Sequence, residues 1–483
     1  MTSLTSAIFA TARVTRATLL SIGIGAVSGL SVAALGLKSV VLVPLLAICA
    51  AMLMIPYSGL YSVVATTPVN VELVGPITVS RLVLLLCFCS ILVQTFRHQI
   101  PPFRLMIWPE GVVPMAFFTW LAFATIAIGK GGFIDRFGPF IIHASIFFVV
   151  LNYADSIKRL RGVLVVLVAF GVLEAGLALA EAFLGFQPFG GWHAQLADLQ
   201  GEDEVRVTGT SAHPIALAGF LQLVIVAAST LAMTGTSRLS NLVFPLLVPL
   251  FLAAWWLTFS RSSWIGMGLM ILAGMLLISK FTRILAVIGS LVLLALLVTH
   301  DFSLSGVAET LQNLAAVSKV ETTAGLSTGS DSLRWRFENW AAAWSIFKEY
   351  PLLGVGLDLS ESTSFSHLPL GAVAHEYMAT AVPHNMFLVV LAEAGIVSFV
   401  LFILIWVVAL RSLIAAGRVQ DLRGYAIGVF TILVGLTGTY FFNPMSREIW
   451  LVLAMCMALG RIARSQNRQH DQTGTNADSG VRR

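Results

Sequence analysis

Three arginines and one histidine are the residues of this sequence with the most chemistry to offer. Arg206 stands in Arg206-Val-Thr-Gly209-Thr-Ser-Ala-His213-Pro214 and Arg261 in Thr258-Phe-Ser260-Arg261-Ser-Ser-Trp264. Arg336 lies in Leu333-Arg-Trp-Arg336-Phe, and His384 in Pro383-His384-Asn385. A guanidinium at a membrane boundary is costly unless it snorkels to water or finds a partner. Gathered on one face, guanidinium groups make an anion site, because their planar forks match phosphate oxygens and stay charged at any relevant pH. No acidic cluster resembling a divalent-metal site accompanies them, so a pyrophosphate bound there would be held by arginines. An imidazole beside them titrates near neutral pH.

These side chains act together only if the chain brings them to one place, and composition says what kind of chain it is. Of 483 residues, 57% are hydrophobic and 11% charged, and the mean hydropathy is +0.89. A soluble domain carries roughly 25% charged residues. A chain with less than half of that cannot cover a water-facing surface, so most of its surface faces lipid. The net charge of +5 then reflects membrane orientation and is no sign of nucleic-acid binding. Cys49, Cys87, Cys89 and Cys456 all lie in apolar stretches, with neither a disulfide framework nor metal-ligand spacing.

A span needs about 20 mostly apolar residues. Runs of that kind lie near 17–37, 39–56, 79–95, 112–128, 138–152, 161–185, 214–233, 241–258, 262–278, 283–299, 385–410, 424–442 and 447–460. The fold class is therefore all-α: a polytopic integral membrane helical bundle of about 12–13 spans. Arg13 and Arg16 ahead of the first run imitate a secretory signal, but no small-residue cleavage site follows, and the segment reads as an uncleaved span.

Basic residues fall in alternate short loops: Arg97 and Arg104; Lys158, Arg159 and Arg161; Arg238; Lys280 and Arg283; Arg411, Arg418 and Arg423; then Arg461, Arg464 and Arg468. The positive-inside rule makes these cytoplasmic. The loops at 57–78, 129–137, 186–213, 259–261, 300–383 and 443–446 are then extracytoplasmic, and Arg206, Arg261, Arg336 and His384 share that face. Two spans before residue 57 would leave Arg13 and Arg16 outside. Either the pair at 17–56 contains one re-entrant or interfacial piece, or the N-terminus is outside.

The expected organisation is N-terminal spans over 1–299, one large loop over 300–383, C-terminal spans over 384–464, and a disordered cytoplasmic tail over 465–483. Connections as long as this loop are usually functional or disordered. Within it, Ser330, Asp331 and Ser332 offer N-caps for a helix that runs to about Glu349, before Pro351 and Gly354. Leu333, Phe337, Trp340, Trp344 and Phe347 recur at helical spacing, an amphipathic aromatic face suited to the membrane interface or to the span tops. Glu174 and Glu181, spaced i, i+7 in one span, project on one face. Glu174 reads as a packing acid, whereas Glu181, nearer the extracytoplasmic end, is a candidate to join the arginines. His143, also within a span, has the same two readings.

The order Arg206-x-x-Gly209-x-x-x-His213-Pro214, Ser260-Arg261, Arg336-x-x-x-Trp340-x-x-Ala343, Pro351-x-x-Gly354-x-Gly356, then His384-Asn385-x-x-Leu388-x-x-x-Ala392-Glu393-x-Gly395 resembles the O-antigen ligase and polymerase superfamily. These are bacterial membrane glycosyltransferases of envelope and exopolysaccharide assembly. The resemblance covers about residues 200–400. It implies about 12 spans with a large periplasmic loop before the last few, in the bacterial inner membrane. It further implies an undecaprenyl-pyrophosphate-linked glycan as donor and an acceptor glycan or glycolipid, with no metal, nucleotide or other cofactor. By the same resemblance Arg206, Arg261 and Arg336 bind the donor pyrophosphate, and Arg261 and His384 are catalytic. Asn385, Glu181 and His213 are secondary candidates. Many relatives have Asn-Pro where this chain has His213-Pro214, which leans towards the exopolysaccharide branch. Ligase and polymerase share the site chemistry and are not separated by these residues. The rival reading is a transporter or flippase of a lipid-linked or anionic saccharide. Such a protein needs midplane charges and broken helices more than a long one-sided loop.

Overall fold

The structure, a computed structural model, describes residues 55–74, 77–129, 133–186, 206–211, 213–235, 238–277, 329–357, 363, 366–367, 383–443 and 446–480. Among these residues twelve α-helices and one small hairpin form. They are α1 (Ser58–Ala65), β1 (Glu72–Val74), β2 (Ile77–Thr78), α2 (Val79–Phe96), α3 (Val112–Ile128), α4 (Phe133–Tyr153) and α5 (Ile157–Leu184). There follow α6 (Pro214–Met233), α7 (Arg238–Trp256), α8 (Arg261–Leu277), α9 (Gly329–Glu349), α10 (Met386–Gly417), α11 (Gln420–Phe441) and α12 (Arg447–Gly480). By length and composition α2, α5, α6, α10 and α11 can each cross a membrane, and α3, α8 and parts of α4 and α7 are shorter apolar helices. The expected spans at 17–37 and 283–299, and nearly all of 39–56, lie outside the described residues, as does most of the 300–383 loop.

Two compact units divide the chain. In the first, residues 1–63 with 81–102, the Gln94 side chain donates to Ile55 O (2.9 Å) and to Ser90 Oγ (2.9 Å) and accepts from Tyr57 N (3.2 Å).

The second unit, residues 64–80 with 103–483, holds every candidate residue. Its centre is α12, where Ile449–Leu459 is buried on all sides, as expected of a helix that is apolar all round. Trp450 sits there among Phe117, Phe118, Phe147 and Phe402, with ring centroids 4.8–6.1 Å away. The His143 ring stacks on Trp450 at 6.3 Å, which makes it part of this aromatic packing. The tail beyond 465, expected to be disordered, continues α12 as helix to Gly480. Once a buried segment has nucleated a helix, each further residue is added at little cost even without an apolar face.

Charge separates the two ends of α12. Around Arg464 lie Glu110, its ion-pair partner, and Arg461, which feels Asp155 and Arg104. At the other end Arg447 donates to Val69 O (2.7 Å) and Ser80 Oγ (2.8 Å), and Asn70 N donates to Thr210 O (2.9 Å) in the loop that carries Arg206. At 1.5 Å per residue, Arg447 and Arg464 are about 25 Å apart, close to the roughly 30 Å hydrocarbon thickness.

Helix α10 is broken, and the break explains two of the glycine motifs. Gly395 has φ 73° and ψ −174°, a conformation that costs other residues about 1–3 kcal/mol. The break frees backbone groups that lipid cannot satisfy. Val355 N donates to Ala392 O (3.0 Å), Gly356 N to Glu393 O (2.9 Å), and Ile396 N to Pro351 O (2.8 Å). The Pro351–Gly356 turn thus completes the hydrogen bonds of the broken helix. The approach leaves no space: a Cβ on Gly395 would lie 2.1 Å from Leu352 O, and one on Gly354 2.3 Å from Glu393 C. Gly395→Ala is therefore expected to lower the thermal midpoint of the purified protein in detergent by several degrees. An unchanged melting curve would contradict the interlock.

The same turn sets how α9 lies on α10. Its buried stripe is Asn339, Ala342, Ala343 and Ile346, and Ala343 and Ile346 pack with Val355, Ala392 and Leu388. The expected aromatic face is a different stripe of the same helix. The tight turn brings the two helices too close for indole rings, so small residues fill the contact. Trp344 is half-exposed, and Trp340 turns instead to the end of α11, stacking on Phe442 with centroids 5.8 Å apart.

Candidate functional site

The loop of Arg206 is held from two sides. Glu181 accepts from Thr208 N (2.6 Å), Thr208 Oγ1 (3.2 Å) and Gly209 N (3.1 Å), and Glu174, one heptad earlier on α5, accepts from Thr210 N (3.0 Å) and from its hydroxyl. Gly209 has φ 55°, and a Cβ there would meet Glu174 Oε2 at 2.3 Å, so the turn between the two carboxyls requires glycine. Glu181 is thus committed to the loop backbone and positions Arg206. His213 is the N-cap of α6, its Nδ1 accepting from Ile215 N (3.1 Å). Asn385 caps α10, its Oδ1 accepting from Phe387 N (3.0 Å) and Leu388 N (3.1 Å). All three secondary candidates therefore have backbone-holding roles, each reached through a side-chain acceptor that satisfies helix or turn N–H groups.

Arg206 itself lies against the corner between α7 and α8. Its Nε donates to Thr258 O (3.2 Å) and its Nη2 to Phe259 O (3.2 Å). Phe259 has φ 45°, an uncommon backbone for a bulky residue. Two residues on, Arg261 is the first residue of α8 and is exposed. The neighbouring Ser260, Ser262 and Ser263 are buried.

Arg336 comes from the second turn of α9 and brings the arginines together. Burial lowers its pKa to about 10, with further lowering from the positive charges of Arg261 and Arg206. Its guanidinium carbon lies 6.0 Å from the centroid of the Phe442 ring, a cation–π distance. Its Nε is buried without a hydrogen-bond partner among the described residues. An uncompensated buried donor costs about 1–3 kcal/mol or more when charged, so this position favours an anionic ligand. Neither Arg261 nor Arg336 has an ion-pair partner among the described residues.

His384 stands beside Arg336, just before α10. Burial comes first, and the Arg336 charge second, in lowering its pKa to about 4; a hydrogen bond with the Asn443 side chain pulls it the other way. His384 has φ 38°. Such strained positions cluster at functional sites because the surrounding structure must over-determine them. Asn443 was not among the sequence candidates. A signal was present, since Phe441-Phe-Asn443-Pro444 places one amide at the end of an otherwise apolar span. Of the polar residues of the long loop, His367 is engaged by Glu349 (2.9 Å), while Asp358, Glu361, His375 and Glu376 lie outside the described residues.

Arg206, Arg261, Arg336 and His384 thus come from four separate segments to one end of a helical bundle. Fold and site define a multi-pass membrane protein with a cationic, histidine-bearing site. Residues 246–403 match the family model described as O-antigen ligase. The match includes Arg261, Arg336, His384 and the Gly354–Gly395 interlock. No curated protein matches the chain.

Proposed function

We propose that this protein moves a glycan from a polyprenyl (undecaprenyl) pyrophosphate donor to an acceptor sugar hydroxyl, at the periplasmic face of a bacterial inner membrane. The observation that carries this reading is the mutual approach of Arg206, Arg261 and Arg336 beside His384, with the Arg336 Nε left without a partner. Arg261 and Arg336 hold the two phosphates through charge-assisted hydrogen bonds. Arg206 adds positive charge from its place on the α7–α8 corner. The acceptor oxygen attacks the anomeric carbon and forms the new glycosidic bond. The bond from that carbon to the pyrophosphate oxygen breaks, and its electron pair leaves with the polyprenyl pyrophosphate. His384 takes the acceptor proton. A single displacement of this kind inverts the anomeric configuration, and no step passes through a metal.

Preorganised cations stabilise the charge growing on the leaving group, and in a partly dry site they do so far better than water. The purified protein in detergent, given labelled donor and acceptor glycan with EDTA present and no gradient, is expected to yield lengthened glycan of inverted linkage. Absence of product there, together with donor movement across sealed vesicles, would replace this reading with a transporter.

A further inference from the structure

A buried chain of polar side chains runs from α6 through α11 to the first turn of α8. Gln222 of α6, Thr439 of α11 and Ser263 of α8 are each 0% exposed, and Asn443, just after α11, is 1% exposed. Gln222 Nε2 donates to Ser263 O (2.5 Å), and Thr439 Oγ1 donates to Gln222 Oε1 (2.8 Å). A carbonyl oxygen only accepts, so the amide turns its nitrogen to α8 and its oxygen to α11. Asn443 Nδ2 donates to Thr439 O (2.7 Å) and to Ser262 Oγ (2.7 Å), and Ser263 Oγ donates to Ser260 O (2.7 Å). The helices approach this closely because Gly266 faces Thr439: a Cβ there would lie 2.1 Å from Thr439 Oγ1 and 2.5 Å from Gly435 O.

A carboxamide buried in a span is costly unless both its ends find partners. What these bonds hold is the backbone on either side of Arg261. Ahead of it, Arg206 holds Thr258 O and Phe259 O. Behind it, Asn443 holds Ser262 and Gln222 holds Ser263. The Arg261 side chain is exposed between these ties. A guanidinium on a backbone fixed in this way is preorganised, and needs no rearrangement when charge develops on a ligand.

We propose that Gln222 is a positioning residue for Arg261. Directly through Ser263 O, and through Thr439 and Asn443 to Ser262, it fixes the first turn of α8 so that the guanidinium stands where the leaving pyrophosphate gains charge. This rests on the reading of Arg261 as a donor-binding residue.

The test is a double-mutant cycle on purified full-length protein at saturating donor and acceptor. Gln222→Met keeps the length of the side chain and removes its amide. It is expected to lower kcat by about 10-fold, short of the roughly 100-fold that a 1 Å misplacement can cost. In the Arg261→Ala background the same substitution should change kcat by less than about twofold, because the residue it acts through is gone. Thr439→Val, which exchanges the hydroxyl for a methyl group, should follow the same pattern, and Thr439→Ser should keep the wild-type kcat. A brace of the fold alone would lower the thermal midpoint alike in both backgrounds, without this split in kcat. An unchanged kcat in Gln222→Met, or an equal fold-loss in the two backgrounds, would overturn the proposal. If Gln222→Met does not accumulate in the membrane, the Thr439→Val cycle decides; absence of both variants makes the network a brace of the fold and overturns the proposal as well. Full activity in Arg261→Ala would overturn the role of Arg261 itself, which is a separate failure.

Discussion

His384→Ala is expected to lower kcat for glycan transfer by about 10²–10⁴-fold, the usual contribution of a positioned general base, with protein in the membrane near the wild-type level. The level should hold because the neighbouring cap is supplied by Asn385, whose Oδ1 bonds Phe387 N and Leu388 N without help from the histidine. Full activity, or loss of the protein itself, would remove His384 from the mechanism. The pH profile carries a sharper expectation. In the free protein, burial and the Arg336 charge hold the imidazole pKa at about 4. The ring must be neutral to accept a proton, so activity falls as pH drops through that value. The acidic limb of kcat/KM, which reports the free enzyme, is expected near pH 4. A bound pyrophosphate brings negative charge that opposes the arginine field and favours the imidazolium. The limb of kcat, which reports the donor complex, is therefore expected at higher pH. Coincident limbs would mean that the donor's phosphates do not lie near His384.

Arg261→Ala is expected to lower kcat by about 10²–10³-fold, the measured scale for removing one preorganised donor from a developing anion. Arg261→Lys should be impaired as well, because an ammonium cannot reproduce the two-pronged geometry of the guanidinium. Both variants should accumulate normally, since Arg261 is exposed and makes no ion pair among the described residues. Arg206 is the useful contrast. Its guanidinium braces Thr258 O and Phe259 O, so Arg206→Ala should lose thermal stability along with activity. Rates for Arg261→Lys equal to wild type, measured at saturating donor, would show that charge alone suffices and would displace the bidentate model.

Much of this molecule was legible in one dimension because its physics is local there. A span is a run of apolar residues, and α5, α6, α10 and α11 begin within a few residues of where hydropathy places them. Arg261 and His384 stand where apolar runs begin, and the structure has them at the first residue of α8 and just before α10.

What the sequence by itself determined was therefore the membrane class and the residue types fit for an anion. Tertiary structure alone decided which polar residues serve the ligand and which serve the chain. Glu181 meets Thr208 across 27 residues and Asn443 meets Ser262 across 181; no spacing rule reaches that far. The stripe of α9 that is buried, Ala342 and Ala343 in place of the indoles, was likewise settled by the Gly354–Gly395 approach. Helical periodicity shows which residues share a face, but the partner's shape determines which face fits, because close packing tolerates no clash and no void.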